Sequence, residues 1–209
     1  DKIELNEKWF LNGAIRYDYG KIKMKSYYDW FQSPVSENNQ TELEYLQRSQ
    51  DLTKTFDSFT WSIGANYNPG KLSLKANLGS SFRMPIAKEL ASNGVNYHYF
   101  RFEKGNPNLD AERSYQLDLG IDWQENKWSV QLSPFFNYFP NYIYLNPTSE
   151  LDIYYGAGNQ VFEYQQSEVM RYGGELQFKY QFFKNLSAEI LAEYLYSEQL
   201  SGSKKGYTL

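Results

Sequence analysis

The chain has 209 residues and no cysteine, so it can build neither a disulfide framework nor a cysteine-based zinc site. It lacks any run of about 18 apolar residues, which excludes a transmembrane helix. It lacks an excess of one charge: 21 Lys and Arg stand against 25 Asp and Glu. That balance argues against a nucleic-acid binder or a polyelectrolyte tail. Histidine occurs once, at His98, with no evident partner, so the usual kit for nucleophilic catalysis is missing. Gly156-Ala157-Gly158 has no following helix and does not read as a phosphate loop. No enzyme and no cofactor is expected. Aromatic residues are abundant instead: Tyr 20, Phe 14 and Trp 5, together 19%. They accompany a mean hydropathy of -0.70. That content excludes a disordered chain. A Tyr-rich binding surface combines such features, and so does a barrel wall in an outer membrane.

Helical periodicity is scarce and alternation is common. Strands are expected near 9–19, 59–67, 72–82, 114–123, 128–138, 168–182 and 186–196. In one register, from Trp9, Leu11 and Ile15 to Ile190, Tyr194 and Tyr196, every position is apolar except Gly13, Pro134 and Gly174. None is charged, although 22% of the chain is. The interleaved register carries Arg16, Asp18, Lys75, Asp118, Asp122, Arg171, Glu175, Lys179, Glu189 and Glu193. Alternation alone would suit a half-buried soluble sheet. The complete absence of charge suits a lipid-facing wall better, because Lys or Arg at mid-membrane costs about 2–4 kcal/mol. Asp118 with Asp122, and Glu189 with Glu193, lie about 13 Å apart along a strand, too far for a paired acid and base.

Tight turns are expected at Asn6-Glu7-Lys8, Asn68-Pro69-Gly70-Lys71, Gln124-Glu125-Asn126-Lys127 and Phe183-Lys184-Asn185. Long connections near 20–58, 83–113 and 139–167 alternate with them. Long loops are uncommon in soluble domains, and strict short–long alternation marks an outer-membrane barrel. Trp9, Tyr67, Trp123, Trp128 and Phe182 gather at the tight-turn ends; Tyr17, Tyr19, Tyr138, Tyr194 and Tyr196 gather at the other, as two interfacial girdles. The expected fold is all-β: an antiparallel up-and-down meander of seven or so strands, forming an incomplete segment of a large transmembrane β-barrel. Such barrels need at least about eight strands to close. Residues 1–209 therefore read as a partial barrel domain cut from a longer sequence.

The second long connection holds Phe82-Arg83-x-Pro85 with Glu89-Leu90, then Gly105-Asn106-Pro107-x-Leu109-x-x-Glu112. Pro85 and Asn93-Gly94 suit the start and stop of a short helix near 85–92. Arg83 and Glu112 fall on the face away from the apolar register, so a charge-assisted contact between them is expected at the outer rim. These motifs, with Asn141 to Leu145 and Gly173-Gly174-Glu175, resemble the barrel of TonB-dependent outer-membrane receptors over roughly residues 9–196. Ser92-Asn93-Gly94-Val95 is similar to the Bacteroidetes-type members. Ala111 departs from the family, which usually has Pro before the Glu.

The resemblance implies a 22-stranded barrel with an N-terminal plug domain that this chain lacks. It implies location in the Gram-negative outer membrane and import of a scarce nutrient, such as a ferric chelate, haem or a metal. Implied partners are outer-membrane lipid, the small-molecule or metal-chelate substrate, and TonB acting through the plug. The other readings are a passive porin, a barrel-borne adhesin, or a soluble Tyr-rich carbohydrate-binding module. Candidate substrate contacts are His98, Tyr97 and Tyr99 in the second loop and Tyr142, Tyr144, Tyr154 and Tyr155 in the third. The plainer reading of these is solvated loop residues. Arg83, Pro85, Glu89, Gly105, Asn106, Pro107, Leu109 and Glu112 are structural motif candidates.

Overall fold

The computed structural model describes residues 2–37, 40–153 and 158–208. In chain order the elements are β1 (Lys2–Glu4), β2 (Trp9–Met24), β3 (Tyr27–Glu37), β4 (Gln40–Ser49), β5 (Leu52–Tyr67), β6 (Leu72–Arg83), α1 (Ala87–Ala91), β7 (Asn93–Asn96), β8 (Arg101–Lys104), β9 (Glu112–Gln124), β10 (Trp128–Leu151), β11 (Gln160–Phe183) and β12 (Leu186–Gln199). A ten-stranded sheet runs in the order β1-β2-β5-β6-β9-β10-β11-β8-β7, with β12 also on β11. Its wall, β2-β5-β6-β9-β10-β11-β12, is an antiparallel meander in which tight turns at one edge alternate with long connections at the other. Gly70 closes one of these at φ +106, where a side chain would be strained.

The apolar register forms one uncovered face. Ile15 is 81% exposed, Phe59 66% and Ile63 61%. Among the described residues the only other sheet is the β3–β4 hairpin, whose main packing partner is β7. Trp9 stacks on Tyr67 at 4.5 Å and Trp123 meets Trp128 at 5.4 Å, both at the tight-turn edge.

The strands run well past the expected spans, and this corrects the loop assignments. The ladder of β2 and β5 continues to Met24↔Leu52, and β3 and β4 pair within the stretch read as a loop. β10 and β11 have 24 residues each, against about 9–11 needed to cross a bilayer. The reason is a switch of register. Tyr17, Tyr19 and Phe59 lie on the exposed apolar face. Beyond Gly20 the apolar residues become Ile22, Met24, Leu52 and Phe56, all on the opposite face. There they pack with Leu90, Leu109 and Ile143 in the main core. Alternation persists, but its phase reverses where the second loop begins to cover the inner side.

One pairing is not part of the meander. β8 pairs in parallel with β11, Val161↔Phe102 through Glu163↔Lys104. β11 thus pairs with β12 from Val169 to Phe183 and with β8 nearer its start. This joins the second and third loops into one structure.

Candidate functional site: an ionic clasp beneath an aromatic rim

Arg83 ends β6 and Glu112 begins β9, directly opposite in the ladder. Arg83 Nη2 donates to Glu112 Oε2 at 3.1 Å, so the contact expected from the sequence is formed. Glu89 of α1 completes a clasp, accepting from Arg83 Nη1 at 2.9 and 3.1 Å. Each carboxylate also holds backbone: Glu89 Oε2 accepts Ile86 N–H at 2.9 Å and Glu112 Oε2 accepts Ile143 N–H at 2.8 Å. Burial works against the Arg83 charge, but its hydrogen bonds to Glu112 and Glu89 outweigh it and raise its pKa.

The helix is shorter than expected. It spans Ala87–Ala91, Ile86 is the N-cap in an extended conformation, and Pro85 precedes it. The Glu89 carboxylate on the Ile86 N–H sets that start, so Pro85 is not the first helical position. Ser92 ends the helix, and Asn93-Gly94 already belongs to β7.

The second motif wraps the clasp. Gly105 N–H donates to Ser92 O at 2.6 Å and Asn106 N–H to Glu89 O at 2.8 Å. A Cβ at Gly105 would lie 2.4 Å from Ala91 N, so glycine is required by close backbone approach. Asn106 Oδ1 accepts Asn108 N–H, and Lys54 Nζ donates to the carbonyls of Pro107 and Leu109. Leu109 is 1% exposed in the core.

A second cluster surrounds Glu103, 2% exposed. It binds Lys88 at 2.6 Å, Arg101 at 2.8 Å and Asn96 at 2.9 Å. Desolvation would raise the Glu103 pKa, but the hydrogen bonds from Lys88, Arg101 and Asn96 prevail and hold it below the usual carboxylate range. Arg101 is two residues from Glu103 on β8, but Lys88 of α1 and Asn96 of β7 come from other elements, so sequence spacing gave no signal for the whole cluster.

Tyr97, His98 and Tyr99 share the β7–β8 turn. Tyr97 is 56% exposed and its phenol meets Arg48 Nη2 at 3.4 Å. His98 is exposed, its N–H donating to Asn96 Oδ1. Tyr99, exposed, lies under the Arg101 guanidinium at 4.8 Å. Phe100, not singled out from the sequence, is exposed at φ +48. A bulky non-glycine residue is uncommon there and its backbone is strained.

Tyr142 and Tyr144 lie on β10 past a bulge between Phe139 and Tyr142. The Tyr142 phenol accepts from Arg171 at 2.9 Å, while Tyr144 OH contacts Gln165 and Gln199. Both phenols are thus engaged within the protein. Tyr154 and Tyr155 lie outside the described residues. The third-loop carboxylates Glu150 and Glu163 bind Lys104, and Asp152 binds Asn159. The β3–β4 hairpin adds Trp30 and Tyr45 to the exposed aromatics of the outer end, missed because its stretch read as loop. Among the described residues no group of His, Asp and Glu is arranged to hold a metal ion.

One continuous sheet, apolar and charge-free on its uncovered face between the two aromatic girdles, with tight turns at one edge and long folded loops at the other, is a segment of a large β-barrel. The family model for the TonB dependent receptor-like β-barrel matches residues 1–209, and the chain belongs to that family. It is a family of receptors and transporters, not of enzymes. Similar solved structures include a copper transporter, OprC, at 16% identity and TM-score 0.74, covering 100% of this chain and 29% of that one. The FrpB iron transporter of Neisseria meningitidis matches at 16% identity and TM-score 0.61, covering 95% and 25%. The Serratia marcescens hemophore receptor HasR, solved with its hemophore HasA and heme, matches at 17% identity and TM-score 0.57, covering 93% and 32%. The chain spans less than a third of the length of each of these three structures.

Proposed function

We propose that this chain forms part of the wall and outer loops of a TonB-dependent receptor in a Gram-negative outer membrane. The receptor imports a scarce nutrient, a ferric chelate, haem, a metal or similar cargo, with TonB acting through a plug domain. The observation that carries the reading is the uncovered face: a band that is apolar and free of charge between two belts of aromatic residues. A soluble carbohydrate-binding module would bury that face under a second sheet. Relatives that carry copper, iron and heme support the cargo class without selecting a member. In this reading the exposed turn of Tyr97, His98, Tyr99 and Phe100 meets cargo first. Tyr142 and Tyr144 brace the third loop.

Growth of a strain lacking the receptor, supplied with ferric chelates, haem or single metals one at a time, tests the proposal. Lost growth on one source, restored by the full receptor and dependent on TonB, is expected. Rescue that proceeds equally without TonB would establish a passive porin instead.

A further inference from the structure

The tight-turn edge carries a regularity that the import reading does not use. A lysine sits in every tight turn, just ahead of a strand: Lys8 before Trp9 of β2, Lys71 before Leu72 of β6, Lys127 before Trp128 of β10, and Lys184 two residues before Leu186 of β12. Three are fixed at one structural level by the same bond. The Lys8 carbonyl accepts Asn68 N–H at 2.8 Å, that of Lys71 accepts Gln124 N–H at 2.9 Å, and that of Lys127 accepts Gln181 N–H at 2.7 Å. All four side chains are exposed. One strand lies between each of the first three and the next, so at two strand spacings they stand roughly 10 Å apart along the rim. Lys71 is tethered to Glu125 of the neighbouring turn at 2.5 Å. The other three have no ion pair among the described residues.

We propose that these lysines form a ledge that binds the phosphates of anionic glycerophospholipids in the leaflet at the tight-turn edge. The inference rests on the membrane reading above. Its geometry is that of an interfacial anchor: each ammonium rides a flexible stem beside an aromatic band of Trp9, Tyr67, Trp123 and Trp128 at the edge of the apolar face. Stems of this length lie along apolar surface while the charge reaches the headgroups. Attraction of about this kind amounts to roughly a five-fold gain in binding per basic residue near an anionic surface. A bilayer supplies phosphates all along such a rim, where a single soluble anion would meet one lysine at a time.

The test uses the full receptor in nanodiscs of phosphatidylethanolamine, with and without phosphatidylglycerol. The unmodified protein is compared with K8Q/K71Q/K127Q/K184Q and with the corresponding four-arginine variant. Readouts are phospholipid retained on detergent extraction, by native mass spectrometry, and the unfolding temperature. The unmodified and arginine forms are expected to retain phosphatidylglycerol and unfold at higher temperature when it is present. The glutamine form is expected to lose both effects while cargo binding stays unchanged. Equal retention by the glutamine form overturns this inference alone. Failure of the unmodified receptor to insert into the discs overturns the membrane reading and this inference with it.

Discussion

Arg83 and Glu112 face each other across the β6–β9 ladder at 3.1 Å, and the same guanidinium reaches back to Glu89 on α1 at 2.9 Å. One cation therefore ties a strand end, the next strand's start and the helix between them. The two carboxylates are each 11% exposed, whereas the Arg83 side chain is 41% exposed. Cost should follow which partner is stranded. Arg83→Ala leaves two poorly hydrated carboxylates close together and should cost about 2–3 kcal/mol, the half-exposed arginine lowering the fully buried figure. Glu112→Gln keeps an acceptor and should cost about 1 kcal/mol. Denaturation of the full receptor in detergent measures both, and the reverse order would show that the clasp does not bear on stability.

Gly105 tests whether the second loop is a fixed part of the wall. Its virtual Cβ meets backbone: Ala91 N at 2.4 Å, Ser92 N at 2.6 Å and Leu90 C at 2.7 Å. Gly105→Ala must push the helix and the Gly-Asn-Pro turn apart, at about 1–3 kcal/mol for overpacking. Gly120→Ala on β9 meets only the Lys75 side chain at 3.4 Å and should be tolerated. Protease cleavage within residues 87–111 should rise for the first variant alone.

These contacts show what the sequence could disclose. The wall was legible because Trp9 through Tyr19 and Phe59 through Tyr67 hold one phase under one demand, apolar on the outside. At Gly20 the demand reverses. Ile22, Met24 and Phe56 answer to a core made by Leu90 and Leu109, far away in sequence. A reader following one phase ends the strand there. Arg83 and Glu112 could be paired from strand parity alone, because both fall beside strands of known phase. The full set of partners of Glu103 could not, because Asn96 meets it only when β7 and β8 form their hairpin and Lys88 only when α1 packs beside it. The β3–β4 hairpin was lost for a further reason: its pairing is irregular between Tyr27 and Gln32, with Asp29, Trp30 and Phe31 between paired positions where β4 has only Leu46.

Glu103 sets a pH dependence whose sign follows from its neighbours. Its folded pKa is depressed, since the Lys88, Arg101 and Asn96 contacts outweigh desolvation. The stability it contributes is then present above the unfolded carboxylate pKa and lost as pH falls through the lower folded value. Urea midpoints of the receptor in detergent should show Glu103→Gln clearly less stable than the parent near neutrality. The gap should close in the acid range below the usual carboxylate pKa. A gap that stays constant to low pH would mean that the cluster does not depend on the carboxylate charge.

The apolar face gives the sharpest separation between a membrane wall and a soluble sheet. Ile63 and Ser62 are neighbours on β5, pointing to opposite faces. Ile63 is 61% exposed, so in water Ile63→Lys would be neutral or would improve solubility. In a bilayer the same lysine sits on the lipid side and should cost about 2–4 kcal/mol near the midplane. Ser62→Lys projects to the polar inner side and should cost little. Expression of both variants in the full receptor, with assembly read as heat-modifiable mobility of outer-membrane fractions, tests this directly. Ile63→Lys should fall in assembled protein while Ser62→Lys matches the parent. Equal assembly of the two would remove lipid from the outward side of β5, since only lipid distinguishes an exposed isoleucine from an exposed serine in this way.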